Sequence, residues 1–153
     1  LPVNSSVTPG CSICTIESGT VRGSNLFHSF SQFSVPTGGA ALFNNGVDIQ
    51  NILTRVTGTN VSNIDGVIQA NGGANLFIIN PSGIVFGANA RLNIGGSFVG
   101  TTANSVKFAD GTEFSTKNSN APLLTISTPV GLNLTNPGAI TVEGSGHNLF
   151  ITS

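Results

Sequence analysis

The chain repeats itself in short apolar bursts set between turn residues. Asn63-Ile64-Asp65-Gly66-Val67-Ile68 returns 17 residues later, from 63 to 80, as Asn80-Pro81-Ser82-Gly83-Ile84-Val85. A third relative, one residue shorter, is Asn136-Pro137-Gly138-Ala139-Ile140. Asn-Leu-Phe stands at Asn25-Leu26-Phe27, Asn75-Leu76-Phe77 and Asn148-Leu149-Phe150. Two copies share an order: Asn75 follows Gly66, and Asn148 follows Gly138. A unit of this kind cannot bury its own apolar face. Units stacked about 4.8 Å apart bury a continuous column of Val, Ile, Leu and Phe. The pattern therefore predicts an all-β solenoid with parallel sheets, at a period of roughly 17 to 25 residues per turn. An antiparallel sandwich fits less well. It favours clean alternation along each strand, whereas Leu76-Phe77-Ile78-Ile79 is unbroken.

The composition supports strands over helices. Charged residues are 7%, and Met, Trp and Tyr are absent, while Gly numbers 20. Gly, Asn, Thr, Ser and Val suit short strands and tight turns, and the strong helix formers are scarce. Asn at the corners tolerates left-handed backbone angles and can stack into side-chain ladders. The first thirty or so residues keep another rhythm and read as an N-terminal cap. Lys107 to Pro122 also breaks the rhythm. Asp110-Gly111 between Phe108 and Phe114 is a hairpin signal, so this stretch reads as an excursion into a small extra-helical sheet. Asn148 to Ser153 begins a turn that does not close, and the expectation is that residues 1–153 form one domain, the N-terminal piece of a longer β-helical protein.

Charge excludes several partners. The five cations, Arg22, Arg55, Arg91, Lys107 and Lys117, form no basic stripe, so nucleic acid and anionic membrane surfaces are not expected partners. No stretch reaches the length of a membrane span. No signal peptide is visible at Leu1-Pro2-Val3, so an exported chain would be a mature fragment.

Chemistry is hard to assemble from these residues. Asp48 and Asp65 are 17 apart and could stack on adjacent turns, as polysaccharide-cleaving β-helices require. Both also sit in turn contexts, which suit Asp without any catalysis. His28 alternates with Phe27 and is expected opposite the core or as a satisfied wall residue. Cys11 and Cys14 form Cys-Ser-Ile-Cys, which reads as a local disulfide in an oxidising compartment. Free thiols are the alternative, and redox catalysis lacks the βαβ pattern it needs. No catalytic residue, metal or cofactor is expected.

Two stretches carry a family resemblance. One runs from Asn25-Leu26-Phe27-His28-Ser29-Phe30 to Gly38-Gly39-Ala40-Ala41-Leu42-Phe43-Asn44-Asn45. The other is Asn75-Leu76-Phe77-Ile78-Ile79-Asn80-Pro81-Ser82-Gly83-Ile84. Both resemble the two-partner secretion domain of filamentous haemagglutinin-type exoproteins, the TpsA or haemagglutination activity family. The form Leu-Phe-Ile-Ile-Asn looks like its cyanobacterial branch. Asn80, Pro81, Ser82, Gly83 and Ile84 match the family's Asn-Pro-Asn-Gly-Ile motif, with Ser at the third place. The family's Asn-Pro-Asn-Leu motif has no clear match. The resemblance implies a right-handed parallel β-helix with an N-terminal cap and extra-helical hairpins, non-catalytic and monomeric. It implies recognition by the periplasmic POTRA domains of a TpsB-type outer-membrane transporter of the Omp85 superfamily. It also implies release to the cell surface or beyond, where the β-helix nucleates folding. Asn80 to Ile84 are then a recognition motif or a structural turn. Asn25, Leu26, Phe27, Asn44 and Asn45 form a secondary motif. A β-helical polysaccharide lyase and a plain adhesive surface domain are the alternative readings.

Overall fold

The structure, a computed structural model, describes residues 5–6, 11–116, 129–133, 138–142 and 151–152. Every regular element among them is a strand. β1 (Ser5–Ser6) precedes the first turn, which holds β2 (Ile13–Ser18), β3 (Thr20–Arg22) and β4 (Asn25–Phe30). The second turn holds β5 (Ala40–Phe43), β6 (Asn51–Val56) and β7 (Ser62–Ile64). The third holds β8 (Val67–Ala70), β9 (Asn75–Ile79) and β10 (Ile84–Phe86). The fourth begins with β11 (Arg91–Asn93) and β12 (Phe98–Thr101). The chain then leaves the wall for β13 (Ser105–Phe108), β14 (Glu113–Ser115) and β15 (Pro129–Asn133). It returns for β16 (Ile140–Val142) and β17 (Ile151–Thr152).

Three sheets make the walls. Sheet I runs β1-β2-β5-β8-β11, sheet II runs β17-β12-β9-β6-β4-β3, and sheet III runs β16-β10-β7. Pairing between successive turns is parallel throughout, as in Leu26↔Ile52↔Leu76↔Phe98 and Ser62↔Ile84↔Ile140. The antiparallel strands in these walls are β1 on β2 and β3 on β4. The fold is a parallel β-solenoid of about three complete turns.

The turn is longer than the sequence repeat indicates. Ala40 stacks on Ile13 (40 − 13 = 27) and Val67 on Ala40 (67 − 40 = 27). The step from Val67 to Arg91 is 24. The 17-residue repeat instead links two corners of one stretch: Gly66 opens β8 in sheet I, while Gly83 opens β10 in sheet III. Both corners need the same turn chemistry, so they look alike without stacking. The shorter third relative does stack, because Ile140 pairs with Ile84 and Gly138 N–H donates to Pro81 O at 2.9 Å. Asn136, Pro137 and Asn148 to Phe150 lie outside the described residues. Asp48 and Asp65 do not stack either. Asp48 lies between β5 and β6, and Asp65 follows β7.

The cap is thinner than the first thirty residues. β2 and β4 are already a full first turn, in register with β5 and β6. Among the described residues the capping falls to β1 and β3, whose reversed direction ends parallel addition at that side.

Two apolar clusters hold the molecule together. The inner one fills the solenoid with Ile16, Leu26, Phe43, Ile52, Ile68, Leu76, Ile84 and Phe86 among others. The second lies outside the wall, where Phe27, Leu53 and Ile79 of sheet II meet Val106, Phe108 and Phe114 of the antiparallel outer sheet β14-β13-β15. Sheet II is thus covered on both faces, which explains why its strands read as unbroken apolar runs. The Asp110-Gly111 hairpin is present. Thr112 N–H donates to Asp110 Oδ1 at 3.0 Å, and Gly111 N–H donates to Phe108 O at 3.0 Å. The excursion begins earlier than Lys107, at Ser105, and takes β15 as its third strand.

Candidate functional site

The corner from Asn80 to Ile84 is built around one buried amide. Asn80 is fully buried, and its Nδ2 donates to Asn60 O at 3.0 Å and Ser62 Oγ at 2.9 Å, one turn below. Its Oδ1 accepts from Ser82 N–H at 3.0 Å, and its carbonyl accepts from Gly83 N–H at 3.1 Å. This is a tight turn with Pro81 at the position where its fixed φ is already suitable. Gly83 has φ of 126°, where a side chain is strained, and an added Cβ would lie 3.0 Å from Ala139 O. Ile84 then enters the inner core. Every polar atom of the Asn80 side chain is committed to holding this corner.

The secondary motif resolves into two ladders. Asn25, Asn51 and Asn75 stack at the start of sheet II. Asn51 Nδ2 donates to Asn25 Oδ1 at 3.0 Å, and Asn75 Nδ2 donates to Asn51 Oδ1 at 3.2 Å. Leu26 next to it faces the inner core and Phe27 the outer one. Asn44 and Asn45 join the corner after sheet I. Asn44 Nδ2 donates to Glu17 Oε1 at 3.0 Å, and Asn71 Nδ2 donates to Asn44 Oδ1 at 3.2 Å. Asn45 is buried and exchanges bonds with Asn71, giving Nδ2 to its carbonyl at 3.1 Å and accepting its N–H at 2.9 Å. Parallel in-register stacking places like residues one above another, so each amide finds the next as partner.

Asp65 links three corners in the same way. It accepts from the Thr37 hydroxyl below and from Asn89 N–H at 2.9 Å and Asn89 Nδ2 at 3.2 Å above. These hydrogen bonds, the Thr37 one foremost, hold its carboxyl below the usual carboxylate range. Gly66 beside it lets the backbones close up, since a Cβ there would lie 2.3 Å from Gly39 O.

His28 lies in the inner core and not opposite it. Phe27 and His28 do alternate, but both faces of sheet II are covered, so the face away from Phe27 is the solenoid interior. The ring stacks on Phe30 at 6.0 Å and lies 5.5 Å from Phe43. Burial pushes its pKa down from 6.5 to about 4, which keeps it neutral.

Arg55 has a role that charge counting missed. It is fully buried between sheet II and the outer sheet. Its Nε donates to Ser29 Oγ at 2.9 Å, its NH1 donates to Ser115 O at 2.9 Å, and its guanidinium lies 4.8 Å from the Phe114 ring centre. The signal was a lone cation in Asn51-Ile52-Leu53-Thr54-Arg55-Val56, on the same outward side as Leu53. An apolar outward side implies a covered face, and a cation there needs partners from the cover.

Cys11 and Cys14 are joined in a disulfide, with Cα atoms 5.4 Å apart. Among the described residues no cluster of three or more His, Cys, Asp or Glu side chains could hold a metal ion.

The arrangement is one of corner turns and ladders, with its polar side chains spent on each other. A family model described as TPS secretion domain matches residues 1–152. The chain belongs to the TPS secretion domain family. A TPS domain is a non-catalytic module of an exoprotein that is exported across the outer membrane with a transporter partner. No curated protein and no solved structure matched this TPS domain. The corners that carry the resemblance, Asn80 to Ile84 and Asn44-Asn45, lie on different walls of the TPS domain, so no single cleft gathers them.

Proposed function

We propose that this domain is the export signal of a large exoprotein, recognised by the periplasmic POTRA domains of a TpsB-type outer-membrane transporter and nucleating β-helix folding outside the cell. The match of nearly the whole chain to the TPS secretion domain carries this reading. Two physical features support it. Turn-by-turn stacking allows growth as chain emerges, because each turn contacts only its neighbours. The chain carries only 7% charged residues, which lowers the cost of passing a narrow pore.

Asn80, Pro81, Ser82, Gly83 and Ile84 serve recognition through the shape of the corner. The Asn80 amide is consumed internally, so the transporter reads a surface that the turn creates. Asn25, Leu26, Phe27, Asn44 and Asn45 act likewise, as parts of ladders and cores that set the spacing of the walls.

The test is a pull-down of the exoprotein domain with the POTRA region of the transporter encoded beside it, with circular dichroism as the folding control. Binding that is lost in Gly83→Val or Asn80→Ala together with stability supports the shape reading. A well-folded wild-type domain that does not bind at high micromolar concentration overturns the export reading in favour of a plain adhesive domain.

A further inference from the structure

The two cysteines occupy a place that neither ladder nor corner chemistry explains. Cys14 is the first inward residue of sheet I. It stacks on Ala41, which stacks on Ile68, so its sulfur points into the column that fills the solenoid. At this end the inner core has a mouth, a pocket of about 110 Å³. Cys11, Cys14, Ile16, Phe30, Phe33 and Ala41 line it. Ala41 is small, and the apolar sulfur pair takes up the room above it.

The chain has 2 cysteines, so only one intramolecular pairing exists. They are 3 apart, so the bond encloses Ser12 and Ile13 alone. Closing so short a loop needs no tertiary structure, since the loop itself brings the sulfurs together. The finished bond also adds almost nothing to the width of an extended chain. In the folded state both cysteines are partly buried, so an oxidant reaches them more easily beforehand.

We propose that Cys11 and Cys14 are oxidised on the unfolded chain before it crosses the outer membrane, and that the disulfide is then folded in as the end plug of the solenoid core. The inference rests on the export reading. The two thiols lose two electrons and two protons to the disulfide of a thiol oxidoreductase, which leaves as a dithiol, and one S–S bond forms between Cys11 and Cys14.

The experiment follows the full exoprotein in its own cells, with the transporter present or deleted, using a thiol-reactive maleimide that adds visible mass. Chain held in the periplasm by transporter deletion is expected to take no label until reduced, and then two. Two labels without reductant, with oxidation seen only in secreted protein, would overturn the timing. The same deletion reports separately on the export reading, which fails if the exoprotein is secreted without the transporter. For the plug, reducing the secreted protein is expected to speed amide hydrogen exchange in Ile13–Ser18 at least tenfold while Asn75–Ile79 stays unchanged. Equal exchange before and after reduction would remove the plug.

Discussion

At Gly83 and Asn80 a single atom decides whether a corner closes. Gly83→Val places a branched side chain at φ of 126° against Ala139 O, so it should destabilise by roughly 1–3 kcal/mol in chemical denaturation. Asn80→Ala leaves the Asn60 carbonyl without its amide donor and should cost a similar amount, about 1–3 kcal/mol. His28 gives a residue-scale dependence on pH. The unfolded chain takes up its proton near 6.5, while the folded chain resists until about 4. Between those values the unfolded state binds more protons, so this contribution is whole above 6.5 and falls as pH drops. The loss should reach about 3 kcal/mol near pH 4. Denaturation midpoints taken across this range should show the slope in wild type and lose it in His28→Phe. Asp65 adds a second, lower step. Its folded pKa is depressed, so its contribution holds above 3.8 and is lost as pH falls further.

Among the elements, the outer sheet is the one held by the fewest kinds of contact. Arg55 ties Ser29 of the first turn to Ser115 of the excursion, with Phe114 beneath the guanidinium and edge-on to Phe27 at 4.9 Å. Arg55→Ala should cost roughly 2–4 kcal/mol, from lost packing and two buried oxygens stripped of donors. The damage should be local. Amide exchange in β13 and β14 should rise while β8 and β9 stay protected, and uniform loss would count against the clamp. Much at this scale was legible beforehand. Asp110-Gly111 announced its hairpin because a turn needs those residues whatever surrounds it. The continuous apolar runs announced strands covered on both sides. The turn length was not legible, because each turn has several corners with the same Asn and Gly requirement. Self-similarity in the sequence therefore picks out like corners, and only Gly138 to Ile140 truly repeats Gly83 to Phe86 in space. Arg55 and the side taken by His28 were hidden for a related reason. Strand alternation gives two faces but not which of them another part of the chain will cover.

For the whole molecule, the order of assembly is written into the topology. The outer sheet is inserted between β12 and β16, late in the chain, yet it packs on Phe27 and Leu53 of the first two turns. The solenoid can therefore stack before its wall is clad. Truncation after the fourth-turn strand β12 should leave a stacked but less stable solenoid with its outer Phe27 face exposed, detectable by binding of an apolar dye.

The stacking also makes the domain a winch. From Asn51 to Asn75 the chain spends 24 residues (75 − 51) to gain one turn. Extended, those residues span about 80 Å, while the solenoid lengthens by about 4.8 Å. Typical stability per residue gives each turn about 2 kcal/mol. Spread over that length of thread, this is a pull of about 2 pN. A chain winding itself at the far side of a pore draws its remainder through with that tension, and an opposing load of several piconewtons in an optical trap should stop it.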